Sequence, residues 1–127
     1  MATLTKLQAT ASFIRSEGNG TQSRDTVVVT VPATTTYAAG TILGKITATS
    51  KFVRHAADAV NGSELEAGVL FETITNTTAS GVDSSTVNFA RACEVNGHEL
   101  TYEAGADAPQ IVTSDAALKA LGIIVRR

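Results

Sequence analysis

Tryptophan is absent from this chain, and tyrosine, proline, methionine and cysteine are scarce, with one cysteine in 127 residues. Each shortage excludes something. A lone Cys93 rules out an intrachain disulfide and any multi-cysteine zinc site. It stands in an alternating stretch, which predicts a small buried hydrophobe. Aromatic residues make up 5% of the chain, so the core must be built from Val, Ile, Leu and Ala. Few prolines beside frequent Thr and Val favour strands over disorder. No apolar run approaches the length of a membrane span. Residues 1–15 lack the apolar core of a signal peptide, because Thr, Lys and Gln interrupt it, so secretion by that route is not expected. The N-x-S/T triplets at Asn19, Asn61 and Asn76 then read as turn chemistry. A net charge of −2 and a pI near 5.6 argue against a general nucleic-acid binder.

Catalytic sets are missing too. His55 lies three residues before Asp58, and His98 precedes Glu99. Ser63 completes a His/Asp/Ser set on paper only, since there is no G-x-S-x-G elbow. Both histidines read as solvated loop polars. Asp58, Glu64 and Glu66 lack the alternating ligand spacing of a calcium loop. Gly40 to Lys45 contains a Gly-Lys pair, yet Ile46 stands where a P-loop needs Ser or Thr. No basic stripe interleaves with aromatics. The reading is a non-enzyme with no cofactor and no metal, and no nucleic-acid or membrane partner. A binding or structural role fits.

What is present centres on Gly40 to Phe71. Ile42, Gly44, Ile46 and Ala48 alternate with Leu43, Lys45, Thr47 and Thr49, the period of a strand. Phe52 and Val53 extend the apolar run. Ala56 to Glu66 is polar and small, with the turn dipeptide Asn61-Gly62 inside it. Gly68 to Phe71 returns as a short buried strand. Elsewhere, Val27, Val29 and Val31 alternate with Thr26, Val28 and Thr30, and Pro32 stops that strand. Ala33 to Ala39 reads as a connection and Thr75 to Ser84 as a surface loop. Ser85 to Cys93 alternates again, and Asn96-Gly97 predicts a hairpin turn before a return strand at Leu100 to Tyr102. One helix is expected near the end, capped by Thr113 or Ser114 and closed by Gly122, with Leu118 and Leu121 on one face. A last strand covers Ile123 to Val125.

Residues 1–24 differ from the rest. They carry Lys6, Arg15 and Arg24 against Glu17, while the remainder holds 7 basic and 11 acidic residues. They read as a flexible, mildly basic N-terminal arm on an acidic body, residues 25–127. The fold class is mainly β: a small barrel-like or sandwich β domain with one short C-terminal helix and an extended N-terminal arm.

Several stretches also carry a resemblance. Leu43-Gly44-Lys45-Ile46-Thr47-Ala48-Thr49-Ser50-Lys51-Phe52, the turn Asn61-Gly62-Ser63, and Ala67-Gly68-Val69-Leu70 follow one another in order. Arg91 to Asn96 and Leu118 to Arg126 come after them. Together they resemble the lambda-type phage head decoration protein family, from about Arg24 to the C-terminus. Ser50 stands where that pattern has Gly, which predicts a looser turn. The resemblance implies a homotrimer on the outer surface of the assembled head, bound to the major capsid protein and stabilising the shell against DNA pressure. It implies a virion protein made in the host cytoplasm, with an arm that orders against the shell. Phe13, Ile14 and Arg15 are then the candidate arm contacts, with Arg24, Val27 and Val29 pairing the arm's base with the capsid. On this view a chain lacking residues 1–20 still folds but no longer binds. The alternative is a carbohydrate- or cell-surface-binding β module, for which Tyr37 and Tyr102 are the candidate stacking residues.

Overall fold

A computed structural model describes residues 9–18 and 22–127. These residues form ten strands, one helix and one 3₁₀ turn. The strands are β1 (Ile14–Glu17), β2 (Arg24–Val31), β3 (Thr35–Tyr37), β4 (Ile42–Lys45) and β5 (Phe52–Arg54). They continue as β6 (Glu66–Leu70), β7 (Ile74–Asn76), β8 (Val82–Phe89), β9 (Cys93–Asn96) and β10 (Ile123–Arg126). Helix α1 runs from Ala108 to Leu121, and Gly97–Glu99 is the 3₁₀ turn.

Five strands close a barrel in the order β2-β5-β4-β6-β8. A second sheet, β1-β9-β10, packs outside it, and β3 pairs with β7 in a small ribbon. Strands β9 and β10 are parallel, which a tight turn cannot connect, and α1 provides the crossover. The expected class is therefore borne out, and of its two variants the barrel is the one formed.

Strand alternation divides the apolar residues between two cores. In β2, Val29 and Val31 point into the barrel with Leu43, Phe52, Leu70 and Tyr37. Their neighbours Thr26 and Val28 face out. In the paired strands β4 and β6, Ile42 and Val69 lie opposite each other and face outward. There they meet Phe13, Phe89, Val95, Leu118 and Ile123 in the second core, between the barrel wall, the outer sheet and α1. Phe13 and Phe89 pack edge to face, 5.6 Å apart. The barrel strands are thus buried on both sides where the outer sheet covers them, which explains why Ile42-Leu43 and Val69-Leu70 are continuous apolar pairs.

Several sequence expectations need correction. The central stretch makes three strands rather than two. After Lys45 the chain turns back, Ile46 N–H donates to Lys51 C=O at 2.8 Å, and β5 pairs antiparallel with β4. Ser50 closes that turn at φ 58°, in the left-handed region, and its N–H donates to Ile46 C=O at 2.8 Å. The turn is not looser for lacking Gly. The connection at 33–39 contains β3. Strand β8 ends at Phe89, because Ala92 takes φ 53° before β9 begins. Asn96-Gly97 opens the 3₁₀ turn instead of a hairpin, with Asn96 accepting from His98 N–H. Leu100 to Tyr102 forms no strand beyond a bridge between Thr101 and Thr41. Helix α1 begins at Ala108, earlier than Thr113. Asp107 and Gln110 make a reciprocal capping box, and Pro109 sits in the first turn. Ser114 is then a buried residue facing β6, and of the two leucines Leu118 is buried while Leu121 is exposed.

The arm expected over residues 1–24 is corrected in its described part. Strand β1 pairs antiparallel with β9, and Phe13 is fully buried. Residues 1–8 and 19–21 of that expected arm lie outside the described residues. Removing residues 1–20 would therefore take away a core phenylalanine and a strand of the outer sheet.

Candidate functional site

The six candidate contact residues occupy distinct environments. Phe13 and Val29 are fully buried, one in each core. Val27 is half-buried against the barrel core, and Ile14 against the outer one. Arg24 leans over the rings of Phe71 and Phe89, its guanidinium 5.1 and 5.4 Å from their centroids. It also makes a two-pronged contact with Glu17, at 2.7 and 3.1 Å. That hydrogen-bonded guanidinium holds the Glu17 carboxyl below its usual range. Arg24 is therefore a lid on the outer core. Arg15 alone of the six is exposed, on β1. The Ser16 hydroxyl, then Arg126 and, less strongly, the charge of Arg15 hold the Glu94 carboxyl below its usual value.

The polar residues that looked like chemistry are engaged elsewhere. His55 is buried, contrary to the solvated reading, because β5 carries it against β6. Its Nε2 lies 3.1 Å from Glu64 C=O and 3.2 Å from the Glu66 carboxylate. Ser114 of α1 donates to the same Glu66 oxygen at 2.7 Å. The hydroxyl faces the carboxylate and not the imidazole, so no nucleophile–base pair forms. The cluster ties β5, β6 and α1 together. Ser63 is buried and its hydroxyl donates to Asn61 Oδ1 at 2.6 Å, away from any histidine. His98 is exposed.

Neither tyrosine is among the exposed residues. Tyr37 lies inside the barrel. Tyr102 packs against the outer core and is held by Asp115 and Arg127, with Arg127 Nη2 2.9 Å from its hydroxyl. Burial, then the hydrogen bond to Asp115, pushes its phenol well up from the usual value.

Sequence reasoning missed the exposed apolar surface. Val60 is 97% exposed and Leu65 68%, both in the loop between β5 and β6, and Val112 of α1 is 67% exposed. Leu65 stands between two shallow hollows, one walled by Lys45, Thr47 and Gly62, the other by His55, Pro109 and Ala117. The only available signal was two large apolar residues in an otherwise small, polar stretch.

Among the described residues, then, a closed barrel carries a second core on its outer side, and its most exposed large apolar side chains lie in the β5–β6 loop and on α1. The family model of the bacteriophage lambda head decoration protein D matches residues 3–123. The chain belongs to that family: it is a phage head decoration protein, of a structural and not an enzymatic family. The match bears out the resemblance carried by the central motifs. No curated protein matches the chain.

Proposed function

We propose that the protein binds the outer surface of the assembled head as a trimer, contacts several subunits of the major capsid protein at once, and so stabilises the shell against the pressure of packaged DNA. The observation that carries this reading is the family match over residues 3–123. The physical mechanism is linkage. A ligand that engages only the assembled lattice stabilises it by about 2.7 kcal/mol per site at a hundredfold excess over its dissociation constant. Repeated over many sites, that increment resists rupture. The doubly cored body suits the task, since a rigid ligand loses little of its binding energy to its own ordering.

The contact assignment is narrowed accordingly. Phe13, Arg24, Val27 and Val29 serve this chain's own fold, which leaves residues 1–8 with the exposed Arg15 of β1 as the docking segment, and Ile14 at its margin. The test is co-sedimentation with assembled heads of the cognate phage. We expect the full chain to sediment with heads, and a chain of residues 9–127 and the Arg15→Glu variant to bind at least about tenfold more weakly, a loss of about 1.4 kcal/mol. Failure of the full chain to bind heads sinks the decoration mechanism. Undiminished binding by both variants sinks the docking segment alone. Light scattering should give about three times the 13.1 kDa chain mass for the free or head-released protein.

A further inference from the structure

The loop between β5 and β6 holds a chemical arrangement that the decoration role does not use. Asn61 is exposed and followed by Gly62. Its side-chain oxygen accepts two hydrogen bonds, from Ser63 N–H at 3.1 Å and from the Ser63 hydroxyl at 2.6 Å. This turn folds the asparagine side chain back over the next peptide. The N–H of that peptide, on Gly62, donates to the Glu64 carboxylate at 2.7 Å. Nucleophile, base and carbonyl-polarising donors thus converge on one amide.

We propose that Asn61 is a self-modifying site, which this turn drives through a succinimide to aspartate and isoaspartate. The Gly62 nitrogen attacks Asn61 Cγ, and its proton passes to the Glu64 carboxylate. Negative charge develops on Asn61 Oδ1, where the two Ser63 donors stabilise it as an oxyanion hole does. The tetrahedral centre collapses, the Cγ–N bond breaks, and the proton returns with the leaving amine as ammonia. Water then opens the five-membered imide at either carbonyl. Water is the only co-reactant, and no oxidant or metal takes part.

Only glycine fits at position 62. Its φ is +107°, and a Cβ there would sit 2.4 Å from Thr47 Oγ1 and 2.6 Å from Lys45 C=O. The reactive peptide is further fixed by Thr47 N–H donating to Asn61 C=O at 2.9 Å. The product would place a carboxylate beside Glu64 and, in its isoaspartyl form, lengthen the backbone in the loop that carries Val60 and Leu65. The exposed apolar face of the protein would change charge and shape with age.

The sequence contains its own control. Asn61 and Asn96 both occur as Val-Asn-Gly. Asn96, however, belongs to β9 and pairs with Arg126 of β10. Gly97 beside it is buried against Val125 and Arg127. Cyclisation there must first break the outer sheet.

The experiment is peptide mapping of the full chain after incubation at mildly alkaline pH and physiological temperature, with isoaspartate scored by enzymatic methylation. In the native protein the Asn61 peptide should convert at least about tenfold faster than the Asn96 peptide, within the range a positioned general base supplies. Glu64→Gln should remove most of that advantage, Ser63→Ala part of it, and neither should alter the Asn96 rate. In denaturant the two sites should convert at similar rates, since their local sequences match. The proposal is overturned if native Asn61 converts no faster than Asn96, if Glu64→Gln leaves its rate unchanged, or if its advantage survives unfolding.

Discussion

Arg24 closes the outer core by gripping Glu17, seven positions earlier, while its guanidinium lies across Phe71 and Phe89. The pair bridges the start of β2 and the end of β1, so it fastens the N-terminal strand to the barrel. Arg24→Ala should lower stability by about 1–2 kcal/mol in urea denaturation, a modest figure because both side chains stay partly solvated. Glu17→Gln should cost less and leave a different mark. The Glu17 carboxyl is held below its usual value, so its contribution is complete above the unfolded-state value of 4.5 and fades as pH falls through the folded-state value. The acid limb of the stability curve should therefore be shallower in Glu17→Gln than in the parent. Parallel acid limbs would show that the pair adds nothing to pH dependence.

How much of this was readable beforehand depends on the range of each interaction. The alternation of Val27, Val29 and Val31 reports burial on one face, and the structure puts that face inside the barrel. The turn at Asn61-Gly62 was legible because its cause is local. Phe13 was not. A single phenylalanine in a polar stretch has no periodicity, and its partner Phe89 lies 76 positions away. His55 and Ser114 failed for the same reason, since Glu66, which joins them, comes from a third element. The helix start was misplaced because Thr113 and Ser114 are good caps by type, whereas the Asp107–Gln110 box occupies a stretch that Gly105 and Pro109 make look like loop. The family motifs reached further than periodicity because they encode tertiary constraints that no short window contains.

The Asn76 side chain ties three segments of backbone together. It is 5% exposed, and the two hydrogens of its amide nitrogen are shared among the carbonyls of Val31, Pro32 and Ser80, at 3.0, 3.0 and 2.9 Å. Its oxygen accepts from Thr78 N–H and the Thr78 hydroxyl. It therefore pins the loop before β8 to the end of β2. Asn76→Ala should cost about 3 kcal/mol, because buried carbonyls lose their donors. Asn76→Asp should cost more, since a carboxylate would then face three carbonyl oxygens. Chemical denaturation of the two variants tests the order, and a milder aspartate variant would contradict the donor count.

Ser50 offers the opposite opportunity. It holds φ 58° where an L side chain is strained by about 1–2 kcal/mol, and it is exposed, so its side chain contributes little packing. Glycine at this position removes the strain but enlarges the entropy of the unfolded chain by about 0.5–1 kcal/mol. Ser50→Gly should therefore stabilise by a few tenths to about 1 kcal/mol, seen as a small rise in Tm. A drop in Tm would mean that the serine side chain supports the turn in some further way.

Cys93 should make the protein alkali-sensitive. Burial, with a smaller push from the nearby Glu17 charge, raises its thiol from an ordinary 9.0 to about 11. The fold therefore keeps the proton where the unfolded chain releases it. Stability from this source is intact below pH 9 and is lost as pH rises towards about 11, to the extent of about 3 kcal/mol. Cys93→Ala leaves a small cavity and lowers stability at neutral pH. Its decline between pH 9 and 11 should nevertheless be shallower than the parent's, which isolates the contribution of the thiol. In the parent, a thiol-specific reagent at neutral pH should react only at the rate of global unfolding. Fast reaction under native conditions would mean that the outer core opens locally around β9.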